Sequence, residues 1–231
     1  DIREYACRGG GFETLDLPNV NTANAYAFST CGRLKNINLP NLTTLNGNYI
    51  FSGSGYYDSE YDANYNMIMF RKCDLTLPKV TRLSQYCFQA AAFRVVSLPL
   101  LETVGSYAFN NSYCAVVDLG PQCYYLMANA FNGAMRNKAL VLRRTADAVQ
   151  CAAASSINNA GFTNTRATGY VYVPSALIET YKAANFWVNC SNQFRVLEEY
   201  TVDGTTTGEL DLAKMDIEEV QRKEVQALRL A

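Results

Sequence analysis

The sequence predicts a repeat solenoid of the α/β class, lined on one side by short parallel strands. Pairs of apolar residues two positions apart recur along the 231 residues, and their second members are separated by 22, 38, 21, 21 and 23 residues. One such unit cannot form a core alone, whereas stacked units bury a continuous one. A period of about 20 to 29 residues is that of a leucine-rich-repeat solenoid. The pairs are Leu15/Leu17, Ile37/Leu39, Leu75/Leu77, Val96/Leu98, Val117/Leu119 and Leu140/Leu142.

A second apolar marker follows most of these strands: a phenylalanine eleven or twelve residues after the leucine. Residues i and i+2 of a strand point to the same side, so each pair should face the core and its neighbours should face solvent. We therefore expect an exposed, small and mostly polar strand face, with Asp16, Asn38 and Asp118 as candidate binding residues. Its members are Thr14, Asp16, Asn36, Asn38, Asp74, Thr76, Val95, Ser97, Val116, Asp118, Ala139 and Val141.

One repeat carries an insertion near residues 53–69, where the spacing exceeds the usual one by about sixteen residues. From Tyr57 to Ile68 the segment alternates, so an extended chain would place tyrosines on one side and oxygen-bearing residues on the other. Exposed tyrosines are typical of binding surfaces, and Tyr56, Tyr57, Tyr61 and Tyr65 are the candidates. Two alternatives remain: a hairpin that packs its tyrosines on the solenoid, and a calcium loop built from residues 58, 60, 62, 64 and 66. The calcium pattern lacks the glycine and the final glutamate of such loops.

Composition argues against several classes of function. A net charge of −1 and a pI near 5.6 disfavour nucleic-acid or anionic-membrane binding, since both need a basic surface. No apolar run reaches the length of a membrane span, and we expect no membrane insertion. The chain has no histidine, so Ser-His and Cys-His catalysis are excluded within it. We expect no enzyme activity, catalytic residue, metal or cofactor.

Eight cysteines are present, but none forms a CxxC pair. Cys87, Cys114 and Cys123 occupy positions that other repeats fill with small or apolar residues, and free cysteine packs as a small hydrophobe. We therefore expect buried free thiols rather than a disulfide framework or a metal site.

Several strings resemble the BspA-like leucine-rich-repeat family of bacterial surface and prophage-associated proteins. They are Ala-Phe-Ser-Thr-Cys (27–31), Leu-Pro-Asn-Leu-Thr-Thr-Leu (39–45), Val-Gly-Ser-Tyr-Ala-Phe (104–109) and the stretch 169–200, which looks like the C-terminal cap of some members. The resemblance implies a right-handed solenoid and a protein that binds or adheres at a cell surface or on a phage tail. It carries no catalytic residues.

We expect three segments: a solenoid over 1–168, a strand–helix–strand cap over 169–200, and a linker with a helical tail over 201–231. In the cap, Leu177, Ile178, Tyr181 and Ala184 have helical spacing, and Trp187 should be packed. The tail begins a helix near Asp216, and Ile217, Val220, Leu228 and Ala231 share a face. It would dock on its own solenoid or on a neighbouring chain, or fray.

The sequence thus favours a non-enzymatic binding module for a protein or glycan ligand. The alternative is a structural spacer in a larger surface or virion assembly, joined by an oligomer contact through the C-terminal helix. An extracellular, cell-surface or virion-associated location is expected in either case.

Overall fold

The computed structural model describes residues 1–61, 65, 67–163 and 167–197, in which the chain winds through successive coils of similar shape. Almost all of its regular elements are short strands. The elements are β1 (Thr14–Asp16), β2 (Thr22–Asn24), β3 (Asn36–Asn38), β4 (Thr44–Asn46), β5 (Tyr57–Tyr61), β6 (Met67–Arg71), β7 (Asp74–Thr76), β8 (Val95–Leu98), β9 (Thr103–Val104), β10 (Val116–Leu119), β11 (Tyr125–Leu126), β12 (Ala139–Leu142), β13 (Gln150–Cys151), β14 (Tyr170–Val173), α1 (Ile178–Ala183) and β15 (Phe194–Val196).

Parallel pairing repeats from coil to coil. The main sheet has six parallel strands in the order β7, β8, β10, β12, β14, β15, and β1 pairs with β3 ahead of them. A second row pairs β2 with β4, and β9 with β11 and β13. The register places equivalent repeat positions side by side, which confirms the alignment made from the sequence. Thus Leu15 lies opposite Ile37, Leu75 opposite Val96, Val96 opposite Val117, and Val117 opposite Leu140.

The core lies between these strands and a stack of phenylalanine rings. Most of the paired apolar residues are buried, although Leu17 and Ile37 are only half-buried. All five marker phenylalanines are fully buried, and their ring centroids are 4.8 to 5.5 Å apart from one coil to the next. Each coil thus buries its apolar residues against the next coil, so one repeat is stable only together with its neighbours. The rings are Phe28, Phe51, Phe88, Phe109 and Phe131.

The expectation of a wholly exposed strand face is wrong for the later coils. Thr14, Asp16, Asn36 and Asn38 are exposed as expected. In β8, β10 and β12, however, the corresponding side chains form a second buried apolar cluster on the side of the sheet that faces away from the core, with Tyr172 and Leu197 packed against it. The buried members of the expected face are Val95, Val116, Asp118, Ala139 and Val141.

The last coil ends against aromatic side chains from the segment that follows it. The backbone N–H of Val149 donates to the Tyr181 hydroxyl at 3.0 Å, and the Trp187 indole Nε1 donates to the Val149 carbonyl at 2.7 Å. Both rings are buried, so Trp187 is packed as expected. The order β14, α1, β15 is the expected strand, helix and strand. The right-handed sense of the coil and the three-segment division stay predictions, and the tail at 201–231 lies outside the described residues.

All eight cysteines are free thiols, and six of them are buried. Burial raises the pKa of Cys87 and of Cys123 to about 12, because a thiolate would lose its hydration there. Cys7 and Cys151 are only partly buried, yet burial still raises the pKa of Cys151 to about 12. These thiols are therefore protonated at neutral pH, as expected of small core residues.

Candidate interaction surface

The insertion folds into an antiparallel hairpin of β5 and β6. Tyr57 lies opposite Arg71, Ser59 opposite Met69, and Tyr61 opposite Met67. The predicted alternation is therefore realised over β5, although residues 62–64 and 66 lie outside the described part of the chain. The hairpin extends to Arg71, two residues beyond the expected insertion.

Small residues fix the base of the hairpin to the coils on both sides of it. Gly55 has a φ of +95°, and a Cβ there would lie 2.6 Å from the carbonyl oxygen of Ala92. Only glycine suits such a backbone at such a close approach. The buried Ser54 hydroxyl accepts from the backbone N–H of Cys31 at 3.1 Å and donates to the carbonyl of Phe28. The chain therefore leaves the solenoid in one defined direction.

Strand β6 forms the buried side of the hairpin. Met69, Phe70 and Arg71 are almost completely buried. The Arg71 guanidinium donates to the backbone carbonyl of Tyr113, and Arg136 donates to the carbonyl of Met67 at 3.0 Å. These contacts reach 42 and 69 residues along the chain, so they tie the hairpin to later coils.

Strand β5 and the described tip residue present three tyrosines to solvent. Tyr57 is 41% exposed, Tyr61 68% and Tyr65 87%. One alternative from the sequence was a hairpin that packs its tyrosines on the solenoid. The hairpin is present, but these three tyrosines are exposed. Exposed aromatic rings held on a buried support offer area for recognition.

Tyr56 and Asp58 belong to a polar contact at the hairpin base. The half-buried Tyr56 donates its hydroxyl to Asp58 Oδ1 at 2.6 Å, and this hydrogen bond raises the pKa of Tyr56. Lys35 Nζ lies 5.0 Å from the centroid of the Tyr56 ring, and Lys72 Nζ lies 3.8 Å from Asp58 Oδ2. Tyr56 is therefore already engaged in contacts within the protein, unlike the three exposed tyrosines.

The calcium interpretation gains no support from the residues that the structure describes. Asp58 is engaged with Tyr56 and Lys72 in a β-hairpin, whereas a calcium loop needs several oxygens turned toward one point. Within the described ranges, no group of three or more acidic or cysteine side chains could hold a metal ion. Residues 62, 64 and 66 of the proposed loop lie outside those ranges.

The three strand-face candidates do not form one site. Asn38 Nδ2 donates to Asp16 Oδ1 at 2.8 Å, and both side chains are exposed at the N-terminal end of the solenoid. Asp118 is buried on β10 and accepts from Arg143 Nε at 2.7 Å and from its NH2 group at 3.2 Å. A bidentate pair of this kind satisfies the carboxylate, so Asp118 lacks the exposure expected of a binding residue.

Five tyrosines of successive coils form a stack that was not predicted from the sequence. Neighbouring rings are stacked with centroids 4.7 to 4.9 Å apart, and each tyrosine has a positive φ between +57° and +61°. The signal was available, because a tyrosine lies two residues before most of the marker phenylalanines. The stack consists of Tyr5, Tyr26, Tyr49, Tyr86 and Tyr107.

The repeated parallel strands and stacked core rings define the class of protein as a leucine-rich-repeat solenoid. The chain belongs to the BspA type leucine rich repeat family, whose model matches residues 1–73 and 64–193 with six copies. No curated protein matches the sequence.

Among solved structures, the chain is similar to a leucine rich cell surface protein from Faecalibacterium prausnitzii A2-165. The sequence identity is 16% and the TM-score 0.36, over 85% of this chain and 61% of that one. This chain therefore spans less than two thirds of that protein. In the part of the chain that the structure describes, no helix is long and apolar enough to cross a membrane.

Proposed function

We propose that the chain is a non-enzymatic binding module that contacts a protein or glycan through the hairpin tyrosines Tyr57, Tyr61 and Tyr65. The exposure of these three rings on a hairpin whose other strand is buried from Met69 to Arg71 carries the proposal. Large aromatic side chains usually bury most of their area in a folded protein. Three exposed rings on one hairpin therefore favour a surface that is covered by a ligand.

The chemistry of tyrosine suits either class of ligand. Its ring gives a large contact area with few rotatable bonds, so little conformational entropy is lost on binding. The ring face stacks on the apolar face of a sugar, and the hydroxyl exchanges hydrogen bonds with protein or sugar polar groups. Because Arg71 and Met69 hold β6 in place, β5 is preorganised, which lowers the cost of binding.

Membership of a BspA type family supports an extracellular location, at a cell surface or on a phage tail. A rigid solenoid that presents a projecting loop fits such a role, since recognition residues commonly lie on loops fixed by a scaffold. The location is part of the same proposal.

The test is a binding screen against a glycan array and a panel of bacterial and host surface proteins. It compares the intact chain with a variant carrying Tyr57→Ala, Tyr61→Ala and Tyr65→Ala. A matched control carries Tyr124→Ala, Met127→Ala and Met135→Ala, which remove three exposed apolar side chains from other coils. Circular dichroism and gel filtration first establish that all three proteins are folded.

We expect the intact chain and the control to bind the same ligand, and the hairpin variant to bind at least about tenfold more weakly, since aromatic anchors often contribute more than 1.4 kcal/mol each. Equal binding by all three proteins would place recognition outside the hairpin. Failure of the intact chain to bind any ligand would favour the structural spacer instead.

A further inference from the structure

Strand β5 is the outer strand of the hairpin and has a neighbour on one side only. It pairs with β6 and, among the strands that the structure describes, with no other. The two hairpin strands have five residues each, whereas the other described strands have two to four. Because β6 is buried from Met69 to Arg71, β5 is a comparatively long strand on a fixed support, and its second edge faces away from that support.

The pairing identifies the backbone groups on that second edge. The N–H of Lys72 donates to the carbonyl of Tyr56 at 2.8 Å, so these two residues belong to a hydrogen-bonded pair of the antiparallel ladder. Such pairs alternate with pairs that are not hydrogen-bonded, and Tyr57, Ser59 and Tyr61 form pairs of the second type with β6. Their N–H and C=O groups therefore point away from β6. We name these groups the open edge.

The open edge is accessible and unpaired. Within the described ranges, no residue forms a backbone hydrogen bond with it. Ser59 is exposed and has a short side chain, and Tyr61 is 68% exposed. The edge offers an N–H donor and a C=O acceptor at every second residue, about 7 Å apart. An extended polypeptide has complementary groups at the same interval, and unpaired strand edges bind such segments.

The charges of β5 favour a foreign segment over a second copy of this chain. Asp58 and Glu60 lie on the face opposite the tyrosines. Lys72 partly neutralises Asp58, whereas Glu60 is exposed. If two copies of β5 paired antiparallel about Ser59, Asp58 of each copy would lie opposite Glu60 of the other. Like charges opposite each other destabilise a strand pair, whereas lysine or arginine at these positions of an added strand would stabilise it.

We propose that an extended segment of a partner protein adds to the open edge as a third strand of the hairpin, with basic residues opposite Asp58 and Glu60. The rings of Tyr57 and Tyr61 would then lie against side chains on the other face of that segment. This choice of partner rests on the proposed function, because the same hairpin is the site. A protein segment is favoured over a glycan, since a glycan lacks the regular backbone donors and acceptors that match a strand edge.

A peptide library provides the probe. Random twelve-residue peptides displayed on phage are selected on the full chain and depleted on the variant carrying Tyr57→Ala, Tyr61→Ala and Tyr65→Ala. The most enriched peptide is synthesised, and its dissociation constant is measured by fluorescence anisotropy. Ser59→Pro removes an outward N–H of the open edge but no hydrogen bond to β6. Ser59→Ala keeps that N–H and is the matched control. Circular dichroism first establishes that both variants are folded.

We expect enriched peptides with lysine or arginine at two positions separated by one residue. Ser59→Pro should weaken binding at least tenfold, because a donor is lost and the proline ring blocks the approach of a strand, whereas Ser59→Ala should weaken it less than threefold. Two peptides N-methylated at alternate sets of backbone amides give a test that leaves the protein unchanged. One of them should bind at least tenfold more weakly and the other less than threefold more weakly, since only one set faces the open edge.

The outcomes separate this inference from the proposed function. Equal affinities of the intact chain and Ser59→Pro, or equal effects of the two N-methylated peptides, would overturn strand addition and leave the tyrosines as the recognition residues. Failure to enrich any peptide would also overturn it, and the glycan array alone would then test the proposed function. A dimer of the intact chain that Ser59→Pro abolishes in gel filtration would overturn it in favour of a second copy at the open edge.

Discussion

Replacing Tyr49 by alanine tests whether the tyrosine stack stabilises the solenoid. The Tyr49 ring lies between Tyr26 and Tyr86, with centroid distances of 4.8 and 4.7 Å and interplanar angles of 9° and 2°. Each stacked pair contributes about 1 kcal/mol beyond its buried area, and transfer of the half-buried ring adds about 1 kcal/mol. Tyr49→Ala should therefore lower the free energy of unfolding by about 3 kcal/mol.

The backbone at Tyr49 provides an internal comparison. Its φ is +61°, a conformation that costs a side-chain-bearing residue about 1 kcal/mol and that asparagine tolerates better. Asn129 occupies the equivalent place before Phe131 with a φ of +60°. Alanine keeps the backbone strain and loses the stacking, whereas asparagine relieves part of the strain. Tyr49→Asn should thus cost about 2 kcal/mol, and Tyr49→Phe less than about 0.5 kcal/mol.

The assay is urea denaturation followed by circular dichroism and by the fluorescence of Trp187, the single tryptophan. Agreement of the two signals establishes one cooperative transition. Tyr5→Ala is the matched control, because Tyr5 has Tyr26 as its only stacked ring among the described residues, and its effect should be clearly smaller. The reasoning is refuted if Tyr49→Ala costs less than about 1 kcal/mol or no more than Tyr5→Ala.

Two further predictions concern the end of the solenoid and its thiols. Tyr181→Phe leaves the buried N–H of Val149 without its acceptor, and unfolding by urea should show a loss of about 1 to 3 kcal/mol; an unchanged midpoint would contradict this role of the hydroxyl. Burial raises the pKa of Cys87 and Cys190 from 9.0 to about 12. The protonated thiols therefore stabilise the folded protein fully below pH 9. As the pH rises from 9 toward 12, the free energy of unfolding should fall by about 1.4 kcal/mol per pH unit for each thiol. Denaturation midpoints measured from pH 8 to 10.5 should therefore fall, and a Cys87→Ala variant should show a shallower decline; equal slopes would refute the assignment.

The strand register was predictable from the sequence because a single period controls it. Once the leucines are aligned, the sheet pairs equivalent positions, such as Val96 with Val117. The same alignment gives the buried position of the marker phenylalanines and of Cys87. These features follow from local spacing and from the need of each coil to bury its apolar residues against the next.

Features that depend on distant contacts were not predictable in this way. Alternation correctly assigns Val116 and Val141 to the outer side of the sheet, but it does not say whether another layer covers that side. In the hairpin, alternation predicts an extended β5, whereas the burial of β6 depends on the contact of Arg71 with Tyr113, 42 residues away. Exposure of Tyr61 is therefore a result of tertiary structure.

The stacked tyrosines and the hairpin tyrosines differ in whether their ring faces are open to a ligand. In the stack, both faces of Tyr26, Tyr49 and Tyr86 are covered by neighbouring rings, so their aromatic surface stabilises the coils. On the hairpin, Tyr61 and Tyr65 are mostly exposed. The number of tyrosines, 16, does not distinguish these two groups. What distinguishes them is whether neighbouring rings cover the ring faces. Stacking on a sugar or packing on a protein needs an open face, which is why the hairpin is the stronger candidate for recognition.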